Sequence, residues 1–169
     1  FMTDGLIRSA LGHWLVPGDN GVSQLVAQSG CWEYHDNLRD LCAVAFCIPE
    51  GGVVVDAGAC IGDQTVPYAQ MVGVDGQVYA FEPYPLAFNA LEKNTAHLTN
   101  VTSIHAALGA RVEGSVPFSI YPTNIGASCL GRMSGCEVVD VPITTLDATL
   151  GHLDRLDFMP HDRAETLEV

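Results

Sequence analysis

Asp56-x-Gly58-x-x-x-Gly62, with Glu82 26 residues beyond Asp56, is the part of this chain whose residue types and spacing could do chemistry. Two glycines after an apolar run let backbone approach a ligand closely. An acid ending the next apolar run is placed to accept both hydroxyls of a ribose. A dinucleotide site shares these features, and charge separates the two. A pyrophosphate is held by the bare positive end of a helix, as in G-x-G-x-x-G. Here Cys60 stands where that pattern has its second glycine, and Asp56 and Asp63 flank the turn. Each carboxylate would repel a phosphate by about 1 kcal/mol or more when partly desolvated. A cationic ligand reverses the sign. S-adenosylmethionine carries a sulfonium, an ammonium and a ribose, so the loop suits it better than a phosphate-bearing dinucleotide. An NAD(P)-dependent Rossmann oxidoreductase stays as the alternative.

The elements that must position these residues follow from periodicity. Val53-Val54-Val55 is a β-branched run bounded by glycines, as expected of a strand buried on both faces. Ile61, Thr65, Ala69 and Val72 then recur at helical spacing, with Pro67 about a turn in, where it kinks the helix or delays its start. Val78 to Phe81 reads as a second strand, Phe88, Leu91, Thr95 and Leu98 as a second helix, and Val101 to Ala107 as a third strand. This is a βαβαβ half of a doubly wound sheet, in strand order 3-2-1. Val116 to Tyr121 and Glu137 to Ile143 form a β-hairpin around a long loop. Thr144-Thr145-Leu146-Asp147 opens a short helix, and Leu156 to Met159 reads as a further strand. Upstream, Leu6, Ile7, Leu11, Trp14 and Leu15 are spaced like one helical face. Asp36 N-caps a further helix carrying Leu38, Leu41, Cys42, Ala45 and Phe46 on one side, ending at Pro49. Residues 1–49 are thus expected as a helical extension packed on the core, and 50–169 as the ligand-binding domain.

Composition bounds the partners. The chain has 169 residues, 48% hydrophobic and 16% charged, enough for one domain with a substantial core. Twenty acids against seven bases give a net charge of −13, and Lys93 is the lone lysine. That balance argues against a duplex nucleic acid or an anionic membrane surface as partner. The six cysteines, at 31, 42, 47, 60, 129 and 136, form no C-x-x-C pair and have no histidine at ligand spacing. They read as core fillers in a reduced, cytoplasmic protein with no metal. No signal-like or membrane-spanning stretch stands out. His97 and His105 read as edge residues, Asn124 as a loop residue, and Trp14, Trp32 and Phe46 as core or lid aromatics.

Val53 to Thr65, continuing through Val78-Tyr79-Ala80-Phe81-Glu82-Pro83, resembles the FkbM-type S-adenosylmethionine-dependent methyltransferases. Their pattern is D-x-G-A-N-I-G-x-x-T followed by V-x-A-F-E-P. The likeness extends through Asn94, Ala106-Ala107-Leu108-Gly109, Asn124 to Ser128 and Thr144 to Asp147, covering about residues 50–158. It implies an α/β, Rossmann-like class I methyltransferase fold: a three-layer αβα arrangement with a mostly parallel sheet and an inserted β-hairpin. It further implies that Gly58, Ala59 and Gly62 line the methionine part, with Thr65 reaching its carboxylate. Glu82 holds the ribose, and Pro83 with Ala106 flanks the adenine. The implied reaction is O-methylation of a hydroxyl on a sugar, glycan or polyketide-like small molecule.

The sequence departs from that pattern twice. Cys60 replaces Asn. Where the family reads D-F-I-K-I-D-V-E-G, this chain reads Asp157-Phe158-Met159-Pro160-His161-Asp162-Arg163-Ala164-Glu165. Asp162 matches by spacing and is the candidate proton acceptor. Pro160 fits a central strand poorly, so the sheet is expected to be truncated after its fourth core strand. A cofactor-binding remnant or regulatory subunit without turnover is therefore a further alternative. An open sheet edge would favour homo-oligomers.

Overall fold

The computed structural model describes residues 4–29, 45–110 and 114–160. The helix expected from Asp36 lies mostly outside them, as do Trp32, His161 and Asp162.

Three strands, β3 (Val53–Ala57), β4 (Gln77–Phe81) and β5 (Val101–Ile104), form a parallel sheet in the order β3-β4-β5. Val54, Val78 and Val101 lie in register across it. The helix α2 (Thr65–Val72) follows β3, and α3 (Pro85–Thr95) follows β4. Pro67 explains why α2 starts at Thr65 and not at Ile61. Proline supplies no N–H, and only the first turn of a helix can spare one. Pro85 begins α3 for the same reason.

Both faces of the sheet are covered, which is why its strands alternate so little between polar and apolar. Val54 and Val78 pack against Tyr68, Ala69 and Val72 of α2, and Ala80 packs against Leu91 of α3. On the opposite face Val55 and Phe81 meet Leu146 and Leu150 of α4 (Leu146–Leu150). The result is a three-layer α/β, Rossmann-like arrangement.

Beyond β3 lies the expected strand at Leu156 to Met159, reduced to a single parallel bridge between Val54 and Phe158. Asp157 pins it by accepting the Val53 N–H at 2.7 Å, with Arg155 beside it at 2.8 Å. The backbone donor and then Arg155 hold the Asp157 carboxyl below its usual range. The order around β3 therefore reverses, making the carboxyl end of β3 a topological switch point where open α/β sheets bind ligands.

Three expectations are corrected. Leu6 to Leu15 is no helix: β1 (Ile7–Arg8) and β2 (Trp14–Leu15) form an antiparallel hairpin. Gly5 and Gly12 take φ of 79° and 94°, incompatible with a right-handed helix, and the Asn94 side chain pairs with both backbone polar groups of Trp14. The helix of this region is α1, Val22–Ser29. The run from Val101 to Ala107 is also not one strand. It bends at His105-Ala106, where the Ala106 N–H turns back to the Ile104 carbonyl at 3.0 Å. From there β6 (Ala107–Leu108) enters a second sheet with β7 (Gly114–Ile120), β8 (Cys129–Leu130) and β9 (Glu137–Thr144), ordered β6-β9-β7-β8. β7 and β9 are the expected hairpin, antiparallel from Gly114↔Ile143 to Ile120↔Glu137. Phe46, expected on a packed face, is 92% exposed.

Candidate functional site

The loop after β3 is held by its neighbours' backbone. The N–H groups of Gly58 and Ala59 both donate to the Phe81 carbonyl at 2.9 Å. Gly58, Cys60 and Gly62 take φ of 77°, 50° and 92°. A side chain at Gly62 would press on Leu91 at 3.1 Å, so that position requires glycine for space as well as for conformation.

Glu82, 5% exposed, grips this loop from the end of β4. One carboxylate oxygen accepts the Cys60 N–H and the other the Tyr84 N–H, both at 2.7 Å. These two bonds aim the carboxylate along the loop. Asp56 and Thr65 form a second buried pair, the Thr65 hydroxyl donating to Asp56 at 2.6 Å. Thr65 is fully buried, and its hydroxyl secures the start of α2 to the end of β3 rather than facing the cleft.

Two adjoining cavities flank the loop. The larger, about 340 Å³, is bounded by Gly58, Cys60, Asp63 and Gln64, by Val22 and Val26 of α1, and by Asn124 and Gly126. The smaller, about 30 Å³, lies between Glu82, Pro83 and Tyr84 on one side and Phe118, Ile125 and Ser128 on the other. Gly58, Cys60 and Gly126 border both. Of the residues expected from the sequence, Gly58, Glu82 and Pro83 line this space. Asp56, Ala59, Gly62, Thr65 and Ala106 stand behind it in the framework, and Asp162 lies outside the described residues. His105 links the edge residues: its ring stacks on Phe88 at 4.7 Å, and its Nε2 lies 3.1 Å from the Pro83 carbonyl.

Sequence reasoning missed the third wall, made by Asp19 to Val26 and the loop between β7 and β8. The signal was there: an acid two residues before a glycine at a helix start is a turn-and-cap signature.

The electrostatics are one-sided. Asp19, Asp56, Asp63 and Glu82 are each 5% exposed or less, and among the described residues bounding the two cavities none is lysine or arginine. Burial, then Asp63 and Glu82, push the Cys60 thiol well above its ordinary range, so it stands as a neutral, slowly reacting wall of the cleft. Burial, then Glu137 and Glu82, raise the Tyr84 phenol too. Among the described residues no group of three His, Cys, Asp or Glu side chains could hold a metal ion.

The left-handed φ at Cys60 explains why Asn occupies this place in the pattern the loop resembles. That conformation costs most L residues roughly 1–2 kcal/mol, and Asn less. Cys60→Asn is therefore expected to raise the thermal unfolding midpoint by about 2–4 °C, and Cys60→Val to lower it. Circular dichroism melts read both, and the reverse order would contradict this account of the loop.

No family model matches the sequence, and no curated protein does. Among solved structures, the chain is similar to a SAM-dependent methyltransferase from Aquifex aeolicus, at 22% identity over 50% of this chain and 45% of that one, with a TM-score of 0.40. It is also similar to a SAM-dependent O-methyltransferase from Thermotoga maritima, at 23% identity over 58% and 38%, TM-score 0.39. A third is M. jannaschii TYW2 in complex with AdoMet, at 22% identity over 67% and 54%, TM-score 0.39. The chain spans less than two thirds of the length of each.

Proposed function

We propose that this chain is the S-adenosylmethionine-binding domain of a methyltransferase of the FkbM type, acting on a hydroxyl oxygen of a sugar or small-molecule acceptor. The observation that carries the reading is the cleft at the switch point, bordered by the acids Asp63 and Glu82 and, among the described residues, by no lysine or arginine. Such a wall repels a pyrophosphate and attracts a cation. Its volume, about 340 Å³ beside the glycine loop, is at the small end of ligand sites.

In this reading Glu82, already aimed by two backbone donors, takes the ribose hydroxyls. Asp63 faces the cationic methionine end, and Gly58 gives the backbone close approach. Pro83 flanks the base at the sheet edge, with Ala106 supporting that edge from the framework. Thr65 acts through Asp56, keeping the carboxyl end of β3 in place. When bound, S-adenosylmethionine supplies a methyl group on a sulfonium, already a good leaving group. The protein's share is then alignment and exclusion of water, with Asp162 as the proposed holder of the acceptor's proton. A cytoplasmic homo-oligomer, with residues 1–49 serving as an extension on the core, completes the proposal.

Isothermal titration with S-adenosylhomocysteine and, separately, NADH tests the cofactor. Binding of the first and not the second is expected, and the opposite pattern would revive the oxidoreductase. Transfer of labelled methyl to a panel of hydroxyl acceptors tests turnover; cofactor binding with no transfer to any of them would favour the remnant.

A further inference from the structure

The chamber beside Glu82, about 30 Å³, has room for a water or two and none for a nucleoside. Ile125, Gly126 and Ser128, from the loop between β7 and β8, line that chamber opposite Glu82, Pro83 and Tyr84. This loop is tied to a segment 106 residues earlier. Asp19, 5% exposed, accepts the Ile125 N–H at 3.1 Å. The same carboxylate accepts the N–H groups of Gly21 at 3.0 Å and Ser23 at 2.6 Å, which fixes its direction. The Asn20 N–H reaches the Thr123 carbonyl at 2.8 Å. Gly21 sits so close to Asn124 that a Cβ there would stand 2.5 Å from its Oδ1.

We infer that Asp19 is a positioning residue, the latch of a two-part strap that must part from the Ile125 turn before a ligand can reach Glu82. Two hydrogen bonds cross between the halves, Ile125 to Asp19 and Asn20 to Thr123. The other two bonds to Asp19 are local and survive opening. Opening breaks these two bonds and draws the 5%-exposed Ile125 side chain out of its cluster with Leu15, Val16 and Val26. The turn at 19–23 and the parallel sheet persist, so it is a local opening short of global unfolding. The identity of the admitted ligand rests on the proposed function; the latch does not.

Cys60 borders both cavities and reports the opening without any ligand. Wild type, Asp19→Ala and Asp19→Asn would be alkylated with N-ethylmaleimide, and Cys60 followed by peptide mass spectrometry against Cys129. Both variants remove the same charge, whereas Asn keeps an oxygen acceptor for Ile125. Bonds to a buried carboxylate are among the stronger ones, so Asp19→Ala is expected to speed Cys60 alkylation roughly tenfold. Asp19→Asn should speed it much less, with Cys129 unchanged in both. Loss of the Asp19 charge by itself eases ionisation of the Cys60 thiol. The latch is therefore read from alanine against asparagine, and equal Cys60 rates in those two variants would overturn it.

Amide hydrogen exchange on the wild type needs no variant. The Ile125 and Asn20 amides should exchange together and faster than Val55 and Val78 of the core. Exchange of all four at one rate, through global unfolding, would equally overturn it. Saturating S-adenosylhomocysteine should slow the Ile125 amide. An unlatching protein that does not respond to this compound would sink the cofactor reading and leave the latch standing.

Discussion

Glu82→Ala is expected to weaken S-adenosylhomocysteine binding by about a hundredfold, roughly 3 kcal/mol. Two losses combine. The ribose hydroxyls of the proposed ligand lose a charged acceptor. The N–H groups of Cys60 and Tyr84, each 2.7 Å from a carboxylate oxygen, lose theirs. A hydrogen bond to a charged group contributes about 1.5–3 kcal/mol, so either loss alone is substantial. The Cys60 amide matters to geometry, because it belongs to the residue held at a φ of 50° between Gly58 and Gly62. Glu82→Gln keeps the shape and one oxygen but turns an amide group toward a backbone donor, and should fall between wild type and alanine. Titration calorimetry reads the affinities, and far-ultraviolet circular dichroism checks that the sheet persists. Wild-type affinity in a folded Glu82→Ala protein would remove Glu82 from the binding site.

Asn94→Ala is expected to lower stability by about 3 kcal/mol, which for a chain of this size lowers the unfolding midpoint by roughly 6–12 °C. Asn94 joins three parts of the molecule. Its Oδ1 accepts the Trp14 N–H at 2.8 Å, and its Nδ2 donates to the Trp14 carbonyl at 2.9 Å and the Ile61 carbonyl at 2.8 Å. One side chain on α3 thus pins the β1–β2 hairpin and the glycine loop together. Alanine orphans all three backbone groups. Asn94→Asp should be worse at neutral pH, since a carboxylate would face two carbonyl oxygens where an amide now donates. Thermal melts of the two variants test the order; aspartate milder than alanine would mean that the carbonyls are not the partners that count.

Local patterns along the chain specify the β3-β4-β5 sheet, its helices and the acid-and-glycine loop. Those signals are local: a β-branched run between glycines, helical spacing, and prolines that fit only a first turn. Gly58, Glu82 and Pro83 border the cleft, with Asp56 behind them, because each lies within a few positions of a strand end at the sheet's carboxyl edge. Long-range contacts set the rest. Leu6 to Leu15 carries helical spacing, yet two glycines with positive φ and the pairing of Trp14 with Asn94, 80 residues away, make it a hairpin. Val101 to Ala107 reads as one strand, yet the chain changes sheets at His105. Thr65 looks like a ligand contact in the motif, yet burial turns its hydroxyl to Asp56. The third wall of the cleft depends on Asp19 meeting Ile125, and no periodicity encodes a contact across 106 residues. Local pattern fixes which way a segment is inclined to fold; when that inclination is worth less than the long-range bonds and burial available to it, the partners decide.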